Sequence, residues 1–241
     1  MFRFFEQASS LQDNKIFLSE DNLKHINVLR IEEDEDIEIV IEGIVYLAKL
    51  YNNKGTTFAN IISKKTDANE SNIKINLYQA IPKSDKFEWI IQKSIELGIN
   101  EIIPFESQRT IVKWDNKKEK KKLERYNEIA KSAAKQSKRS YIPNVKSLKS
   151  FNEVLEELKG KHIILAYENR GKSLKNILQN CQAEEINIII GPEGGFSEDE
   201  VKNFENIEAN IVNLGNRILR SETAAIALCA MIQYELGDIN I

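Results

Sequence analysis

The stretch IIIGPEGGFSEDE, from Ile188 to Glu200, decides which fold the sequence predicts. Three β-branched residues lead into Gly191, and Pro192, a carboxylate and two more glycines precede a capping box formed by Ser197 and Glu200. A buried strand that ends in glycines leaves its backbone open to close approach. Three hypotheses fit this stretch alone: a structural turn, a cradle for phosphate, or a loop that holds another small ligand.

A phosphate loop is the weakest of the three hypotheses. A Walker-type loop needs GxxxxGK[ST], and the chain offers only AYENRGKS, in which Ala166 replaces the first glycine. That glycine makes the tight turn around the phosphate. No GxGxxG follows any predicted strand either, so the sequence disfavours both a nucleoside triphosphatase and an ordinary dinucleotide fold.

Composition narrows the class of protein further. The chain has 241 residues, 41% of them hydrophobic, and a formal net charge of −3. Cys181 and Cys229 have no CxxC spacing, and His25 and His162 are far apart, so we expect no disulfide frame and no metal site. No run of about 18 apolar residues exists, and the first ten residues lack the core of a signal peptide. We therefore expect a cytoplasmic protein that does not cross a membrane.

The two halves of the chain have different patterns. Up to about residue 63, short runs of β-branched and aromatic residues predict strands over 15–19, 36–41, 44–51 and 57–63, with a helix over 20–30. This pattern is typical of a small barrel-like β domain. The polar segment 64–72 is the best candidate for a linker.

After residue 72 the pattern alternates between strand and helix. We expect a helix over 84–98, with Asp85 and Glu88 as a capping pair and Gly98 at its end. Near-continuous apolar strands over 162–167, 186–191 and 209–215 suit a parallel sheet covered on both faces. The second half is therefore predicted to be an α/β domain with its ligand site at the carboxyl ends of the strands.

The last predicted helix, Ser221 to Leu236, is apolar nearly all round between Ala224 and Ile232. A surface helix has only one apolar stripe. We therefore expect this helix to pack on two sides, against the sheet and against a second subunit.

Positive charge is concentrated between Lys117 and Arg139, where eight lysines and two arginines face three glutamates. On a helix, Lys131, Lys135, Lys138 and Arg139 would share one face. Such a stripe is compatible with a phosphate-binding surface and equally with a solvated lysine-rich face.

A second predicted strand that ends in glycine decides between the turn, the phosphate cradle and the small-ligand loop. LGNRILRSETAAIAL, from Leu214 to Leu228, also leaves a strand through glycine and then presents two arginines and a carboxylate. Together with IGPEGGFS, it closely resembles the two most specific signatures of the ribosomal RNA small subunit methyltransferase E family, within the knotted SPOUT methyltransferases. FEWIIQKSIELGINEIIPFESQRT resembles the family's helix–strand unit, and RFF and HINVLR resemble its N-terminal domain. The sequence departs from the family at Lys135, where an acid is usual, at Lys138, where a small residue is common, and in the turn EEDED, which lacks a glycine.

The resemblance, which covers nearly the whole chain, implies a fold and a reaction. The fold is α/β, with a PUA-like RNA-binding β-barrel domain over 1–68 and a SPOUT methyltransferase domain, with a parallel sheet and a trefoil knot, over 73–241. The reaction is transfer of a methyl group from S-adenosylmethionine to N3 of a uridine in 16S ribosomal RNA, with S-adenosylhomocysteine as product and no metal. The implied partners are the 30S subunit and a second copy of the chain in a homodimer.

The resemblance also implies the site residues. The donor pocket is expected to be formed by Ala166, Tyr167, Glu168, Ile190, Gly191, Pro192, Glu193, Gly194, Gly195, Leu214, Gly215, Ile218, Leu219, Thr223 and Ala224. The catalytic candidates are Arg217, Arg220, Glu193 and Glu222, although Glu222 also suits a simple helix cap. The candidate RNA contacts are Arg3, Lys24, Arg30, Lys131, Lys135, Lys138 and Arg139.

Two alternatives of other kinds remain. One is a knotted methyltransferase that acts on a ribose hydroxyl or on transfer RNA, and the other is an RNA-binding assembly factor without catalysis. The complete glycine signatures favour a working methyltransferase acting on the ribosomal base. The target nucleotide, its assembly stage and the base that removes the proton do not follow from the sequence.

Overall fold

The computed structural model describes residues 1–53, 55–66, 69–83, 86–111, 114 and 116–239. The chain divides into two compact units, one made of Met1–Glu70 and Ala134–Ile142, the other of Ser71–Ala133 and Pro143–Ile241. The expected boundary near residues 68–73 lies at the first division. The segment Ala134–Ile142, which the sequence placed in the second domain, groups with the first unit.

The first unit contains a mixed sheet and one α-helix. Its described elements are β1 (Arg3–Phe5), β2 (Leu11–Gln12), β3 (Lys15–Phe17), α1 (Glu20–Leu29), β4 (Asp36–Ile41), β5 (Ile44–Asn53) and β6 (Thr56–Thr66). The strand order is β1-β4-β5-β6-β3-β2; β1 is parallel to β4 and the other pairs are antiparallel. The predicted strands and helix of this half are confirmed. The predicted linker is shorter than expected, because β6 pairs with β5 as far as Thr66.

The core of the first unit follows from the alternation in its strands. Ile37, Ile39 and Ile41 on β4 are buried against Phe4 and Ile16. The turns between strands use left-handed backbone, for example at Gly43, where φ is +79°. The alternating pattern thus predicts which side chains form this core.

The second unit contains a parallel sheet with helices. Its described elements are β7 (Lys74–Ala80), α2 (Lys86–Glu96), β8 (Glu101–Glu106), α3 (Asn116–Gln136, which ends in the first unit), β9 (Asn144–Val145), β10 (Lys149–Ser150), α4 (Phe151–Leu158), β11 (Ile163–Ala166), β12 (Lys172–Ser173), α5 (Leu174–Gln179), β13 (Glu185–Ile190), α6 (Glu198–Asn206), β14 (Asn210–Asn213) and α7 (Ser221–Leu236). Asp85, the expected partner of Glu88 in a cap, lies outside the described residues.

The order of strands places the predicted loops together. The sheet runs β10-β8-β7-β13-β11-β14-β12, with β9 beside β8, and its described pairs are parallel. The predicted α/β fold with a parallel sheet is therefore confirmed. Because β13 and β14 lie on opposite sides of β11, the chain changes direction across the sheet there. Ligands of open α/β sheets bind at the carboxyl ends of strands at such a change.

Helix α7 has the bounds that the sequence predicted. It contacts α2, α5 and the strands β7 and β13. Gln233 is fully buried, accepts a hydrogen bond from the Ser71 hydroxyl and lies against Gly98, where an added Cβ would be 2.5 Å from its amide nitrogen. The helix still exposes Met231 and Tyr234, which are 37% and 55% accessible. Packing within the chain therefore does not cover all of its apolar surface.

The described residues contain neither a membrane-spanning helix nor a metal-binding cluster. In that part of the chain, no helix combines the length and the apolar character that crossing a bilayer requires. Nor does it bring three or more His, Cys, Asp and Glu side chains together as a metal site. Cys181 and Cys229 are not joined in a disulfide; Cys229 is buried, and the Cys181 sulfur lies 3.5 Å from Nε2 of His162.

Candidate functional site

A pocket of about 310 Å³ lies at the carboxyl ends of β11 and β13. This volume is within the range of about 300 to 1,000 Å³ that is usual for small-molecule sites. Its wall combines bare backbone, apolar side chains and four charged groups: Lys86, Ala166, Glu168, Ile190, Gly191, Pro192, Glu193, Gly195, Phe196, Ile218, Leu219, Arg220, Ser221 and Ala224. The exits of two neighbouring strands and the segment leading into α7 thus meet at one cavity.

The glycines after β13 leave room for neighbouring side chains. Gly195 has φ +66°, a conformation that favours glycine, and its N–H donates to the Pro192 carbonyl at 2.9 Å. A Cβ at Gly195 would lie 2.5 Å from Oε1 of Glu168, and one at Gly191 would lie 3.1 Å from the Phe196 ring. The missing side chains therefore allow the Glu168 carboxylate to close one side of the pocket.

The exit of β14 is tied to the exit of β11. The Asn213 side chain accepts a hydrogen bond from the Gly215 N–H at 2.8 Å and donates one to the Glu168 carbonyl at 2.8 Å. Gly215 has φ +107°, so the chain turns back immediately after the strand. The Asn213 side chain therefore connects the loop after β11 to the loop after β14.

The start of α7 is fixed to the loop after β13. The Ser221 hydroxyl donates to the Gly191 carbonyl at 2.6 Å and accepts from Nε2 of the fully buried Gln79 at 2.9 Å. Buried polar groups that are hydrogen-bonded in this way make an arrangement rigid. The pocket wall is therefore held by contacts from β7, β13 and α7.

Three charged side chains meet at the pocket. The Lys86 ammonium lies 3.5 Å from Oε1 of Glu193 and 3.3 Å from Oε2 of Glu222. Burial on its own would raise the pKa of Glu193, but the Lys83 N–H, which donates to it at 3.0 Å, and the Lys86 charge outweigh that effect and lower the pKa. Glu193 is therefore held as a carboxylate.

Most of the expected donor residues line this pocket. The lining contains eleven residues that the sequence singled out: Ala166, Glu168, Ile190, Gly191, Pro192, Glu193, Gly195, Ile218, Leu219, Arg220 and Ala224. Ile218 is 85% accessible, so it forms a rim rather than an enclosed wall. Glu222 reaches the site through Lys86, while Arg217 and Thr223 are exposed outside the lining.

The other four expected donor residues support the pocket from outside its lining. Tyr167 is buried, and its hydroxyl donates to Glu198 at 2.8 Å; burial, with that carboxylate, raises the pKa of the phenol. The Gly194 carbonyl accepts from the Arg109 guanidinium at 2.8 Å. Leu214 is half-buried and Gly215 forms the turn described above.

Sequence reasoning missed Lys86, Phe196 and Ser221. The sequence did contain an indication for Lys86. A cation in the first turn of a helix interacts unfavourably with the helix dipole, so a lysine at this position suggests a nearby negative charge. Phe196 and Ser221 were part of the signatures, but their contact with Gly191 depends on how β13 and α7 pack.

The expected RNA contacts divide into buried and exposed groups. The Arg3 side chain is 1% accessible and donates to Glu38 and to the Arg139 carbonyl, and Arg139 is buried with Glu70. Arg3 and Arg139 are therefore structural, and the expectation that they contact phosphate is corrected.

Two further lysines of that set are also engaged within the first unit. Lys138 pairs with Glu38 at 2.6 Å, and it lies beyond α3, which ends at Gln136. Lys135 donates to Asn22 at 3.0 Å and lies over the Phe4 ring. The expectation that Lys131, Lys135, Lys138 and Arg139 share one face of a helix is therefore wrong, because α3 ends before Lys138 and Arg139. Lys24 and Arg30 are exposed on and after α1, and Lys131 is half-buried on α3.

The segment RGKS forms no phosphate loop. A Cβ at Gly171 would lie 2.4 Å from the backbone of Val212, so this glycine allows β12 to approach β14. The Ser173 hydroxyl then caps α5. Strand packing and capping account for the motif.

Comparison with known families defines the class. A model of the RNA methyltransferase domain matches residues 69–233, which include every residue that lines the pocket.

Individual relatives define the family. The ribosomal RNA small subunit methyltransferase E of Mesomycoplasma hyopneumoniae (strain 232) is 39% identical over 228 residues, 95% of this chain and 97% of the relative. That of Bacillus subtilis (strain 168) is 36% identical over 219 residues, 87% and 86% of the two chains. The protein belongs to the ribosomal RNA small subunit methyltransferase E family.

Two solved structures are similar to this chain over nearly its full length. The ribosomal RNA small subunit methyltransferase E of Neisseria gonorrhoeae, bound to S-adenosyl methionine, has a TM-score of 0.89 and 33% identity, with 99% of both chains covered. A protein of Legionella pneumophila in complex with the bound cofactor SAM has the same TM-score at 30% identity, again over 99% of both chains.

Proposed function

We propose that the protein transfers a methyl group from S-adenosylmethionine to N3 of a uridine in 16S ribosomal RNA of the small subunit, in the cytoplasm. The observation that carries the proposal is the pocket of bare backbone at the strand exits, in a chain of this family. The relatives are named for the small-subunit RNA, and the atom N3 is what the resemblance to the family implies.

The residues around the pocket suit this donor. The backbone at Gly191 and Gly195 is open to the edge of a flat base, and Leu219 and Ala224 supply apolar contacts. Glu168 would accept a hydrogen bond from a ribose hydroxyl. S-adenosylmethionine supplies a methyl group already activated on a sulfonium and leaves as S-adenosylhomocysteine. The carboxylates of Glu193 and Glu222 complement that positive charge.

Uridine N3 carries a proton that must leave before the nitrogen attacks, so the site needs a proton acceptor. We assign this role to Glu222. Its Oε2 is shielded from solvent and has no well-aligned hydrogen bond within the described residues, although Lys86 is 3.3 Å away. Glu193 is less suitable because a backbone N–H already occupies it. Arg217 and Arg220 would then be positive charges that contact the RNA near the pocket.

The two units take different parts in the proposal. The first unit would be a PUA-like barrel that grips RNA through Lys24 and Arg30, and the second unit would be the knotted SPOUT domain. Lys131 would add a phosphate contact from α3. The exposed Met231 and Tyr234 of α7 would be covered by a second copy in a homodimer. The target base would leave its stack to reach the pocket.

The experiment uses labelled S-adenosylmethionine with small subunits that lack the modification, and with free RNA. Mass spectrometry of the nucleosides should locate the methyl group on N3 of one uridine. The Glu222→Gln variant should bind the donor and transfer methyl at least about 100-fold more slowly. A methyl group on a ribose hydroxyl, or on transfer RNA only, would contradict the proposal.

The RNA surface has a separate test. Changing Lys24 and Arg30 together to glutamate should weaken RNA binding and reduce the slope of log Kd against log salt by about 2, because two phosphate contacts are lost. The Lys161→Glu variant, changed at an exposed lysine elsewhere, should leave the slope unchanged. Equal slopes in all three proteins would remove α1 from the RNA surface.

A further inference from the structure

Lys86 occupies an unfavourable position for a lysine. It is the first residue of α2, where the unpaired N–H groups of the helix already create a positive field. Two carboxylates hold it there: Glu193, from the loop after β13, and Glu222, from the first turn of α7. The chain thus brings three separate segments together to fix one ammonium group.

Lys86 is one of the residues that line the pocket. Its side chain is 33% accessible, whereas that of its partner Glu222 is only 12% accessible. An ammonium group has three N–H donors, and the two carboxylates engage at most two of them at these positions. One donor is therefore left for a ligand in the pocket.

We propose that Lys86 is a catalytic residue that donates a hydrogen bond to a carbonyl oxygen of the target uracil. This role rests on the proposed function. When N3 loses its proton, negative charge spreads onto the two carbonyl oxygens beside it. A fixed ammonium group at one of those oxygens stabilises this charge without needing to reorganise.

The step balances with the residues already assigned. The N3 proton passes to Oε2 of Glu222, and Lys86 keeps its own proton throughout. The N3 electron pair forms the new bond to the methyl carbon while the carbon–sulfur pair returns to sulfur. The site therefore gains one proton on Glu222, which solvent later removes.

Arg220 is less suited to this role. It also lines the pocket, but it is exposed at the N-cap of α7, and within the described part of the chain no carboxylate pairs with it as Glu193 and Glu222 pair with Lys86. A cation that is already fixed stabilises developing charge better than one that must first be ordered.

The test compares RNA that carries uridine with RNA that carries 5-fluorouridine at the target. Fluorine makes the N3 proton more acidic, so its loss needs less help from the protein. The Lys86→Gln variant should lower kcat on uridine by about 100-fold. The loss on 5-fluorouridine should shrink to less than about tenfold, because the anion forms more easily.

Controls separate this role from a structural one. Lys86→Arg keeps the positive charge and should recover part of kcat, and Lys202→Gln removes one charge from α6, outside the pocket, without effect. Calorimetric affinity for S-adenosylhomocysteine should change by less than about threefold in Lys86→Gln, which is under 1 kcal/mol. Unfolding curves show whether each variant keeps its fold. If Lys86→Gln does not fold, kcat on uridine RNA and on 5-fluorouridine RNA is compared for Lys86→Arg instead.

The outcomes are distinct. An equal loss of kcat on both RNAs, or a donor affinity reduced more than about tenfold, overturns the assignment of Lys86 while the proposed function stands. If the unchanged protein methylates an atom other than N3, the proposed function fails and the role of Lys86 fails with it.

Discussion

Gly195 illustrates how much of the site depends on one residue. Its positive φ bends the loop, and its missing Cβ makes space for the Glu168 carboxylate. Any other residue here would strain the backbone and add a Cβ, but only the added Cβ would displace the Glu168 carboxylate from the pocket. The two effects can be separated, because Gly160 has a similar φ of +72° and open space around its Cβ position.

We expect Gly195→Ala to weaken binding of S-adenosylhomocysteine by at least about tenfold, or about 1.4 kcal/mol. Gly160→Ala should leave that affinity unchanged. Each substitution should cost about 1 kcal/mol of unfolding free energy, because alanine is strained at positive φ. Calorimetry and urea unfolding measure the two effects. Equal donor affinities in both variants would mean that Glu168 does not border the donor.

Glu193 gives a prediction about pH. The pKa of this carboxyl is lowered in the folded protein, so the unfolded chain, with a glutamate pKa of about 4.3, takes up a proton first on acidification. Its contribution to stability is present above that value and is lost as the pH falls through the lowered pKa. Glu193→Gln should therefore reduce the slope of unfolding free energy against pH between about pH 5 and pH 3. Identical slopes in urea unfolding would contradict this.

At the scale of elements, α4 and α6 share one device. Each has a serine as its N-cap, Ser150 or Ser197, and a glutamate three residues later, and both form complete capping boxes. The carboxylate of Glu200 has a second task, because it also accepts the Gln108 N–H at 2.7 Å and is buried, whereas Glu153 is exposed. The cap of α6 therefore also fixes the loop after β8.

Because only Glu200 has this second contact, comparing Glu153 with Glu200 separates the effect of the cap from that of the link to Gln108. Glu153→Ala should lower the unfolding free energy by about 1 kcal/mol, as for the loss of a cap. Glu200→Ala should lower it by about 3 kcal/mol, because the N–H groups of Ser197 and Gln108 both lose a buried, charged acceptor. Denaturant unfolding of both variants provides the measurement. Equal losses would show that the link to Gln108 contributes nothing to stability.

At the scale of the whole molecule, the first unit is built from two separate parts of the chain. Glu38 on β4 accepts from Arg3 and from Lys138, which lies 100 residues further along. Although burial would raise the pKa of Glu38, the hydrogen bonds from Lys138 and Arg3 lower it. The segment Ala134–Ile142 therefore stabilises the first unit by neutralising a shielded carboxylate.

We expect Glu38→Ala to lower the unfolding free energy by about 3 kcal/mol, because Arg3 would remain charged and buried without its partner. Asp36→Ala, two residues earlier on the same strand and exposed, should change it by less than about 0.5 kcal/mol. Thermal unfolding compares the two. Similar midpoints would mean that the Arg3 charge is solvated in the native protein.

The sequence by itself determined the secondary structure around the pocket and the position of the pocket. The bounds of α7, the strands β11, β13 and β14 and the capping box at Ser197 follow from apolar periodicity, glycine and capping residues, all of which act within a few positions. The glycine exits of parallel strands must meet at one edge of a sheet, so the loops after β11 and β13 could be placed together in advance.

Only the tertiary structure decided which charges are paired. Arg3 looked like a surface cation and is buried, and Lys86 looked like an ordinary helix residue and joins Glu193 to Glu222 at the pocket. These pairs connect residues more than thirty positions apart, and no local pattern encodes them. They exist because folding removes certain side chains from water, and a charge in that environment is stable only beside a partner that the packing of distant segments supplies.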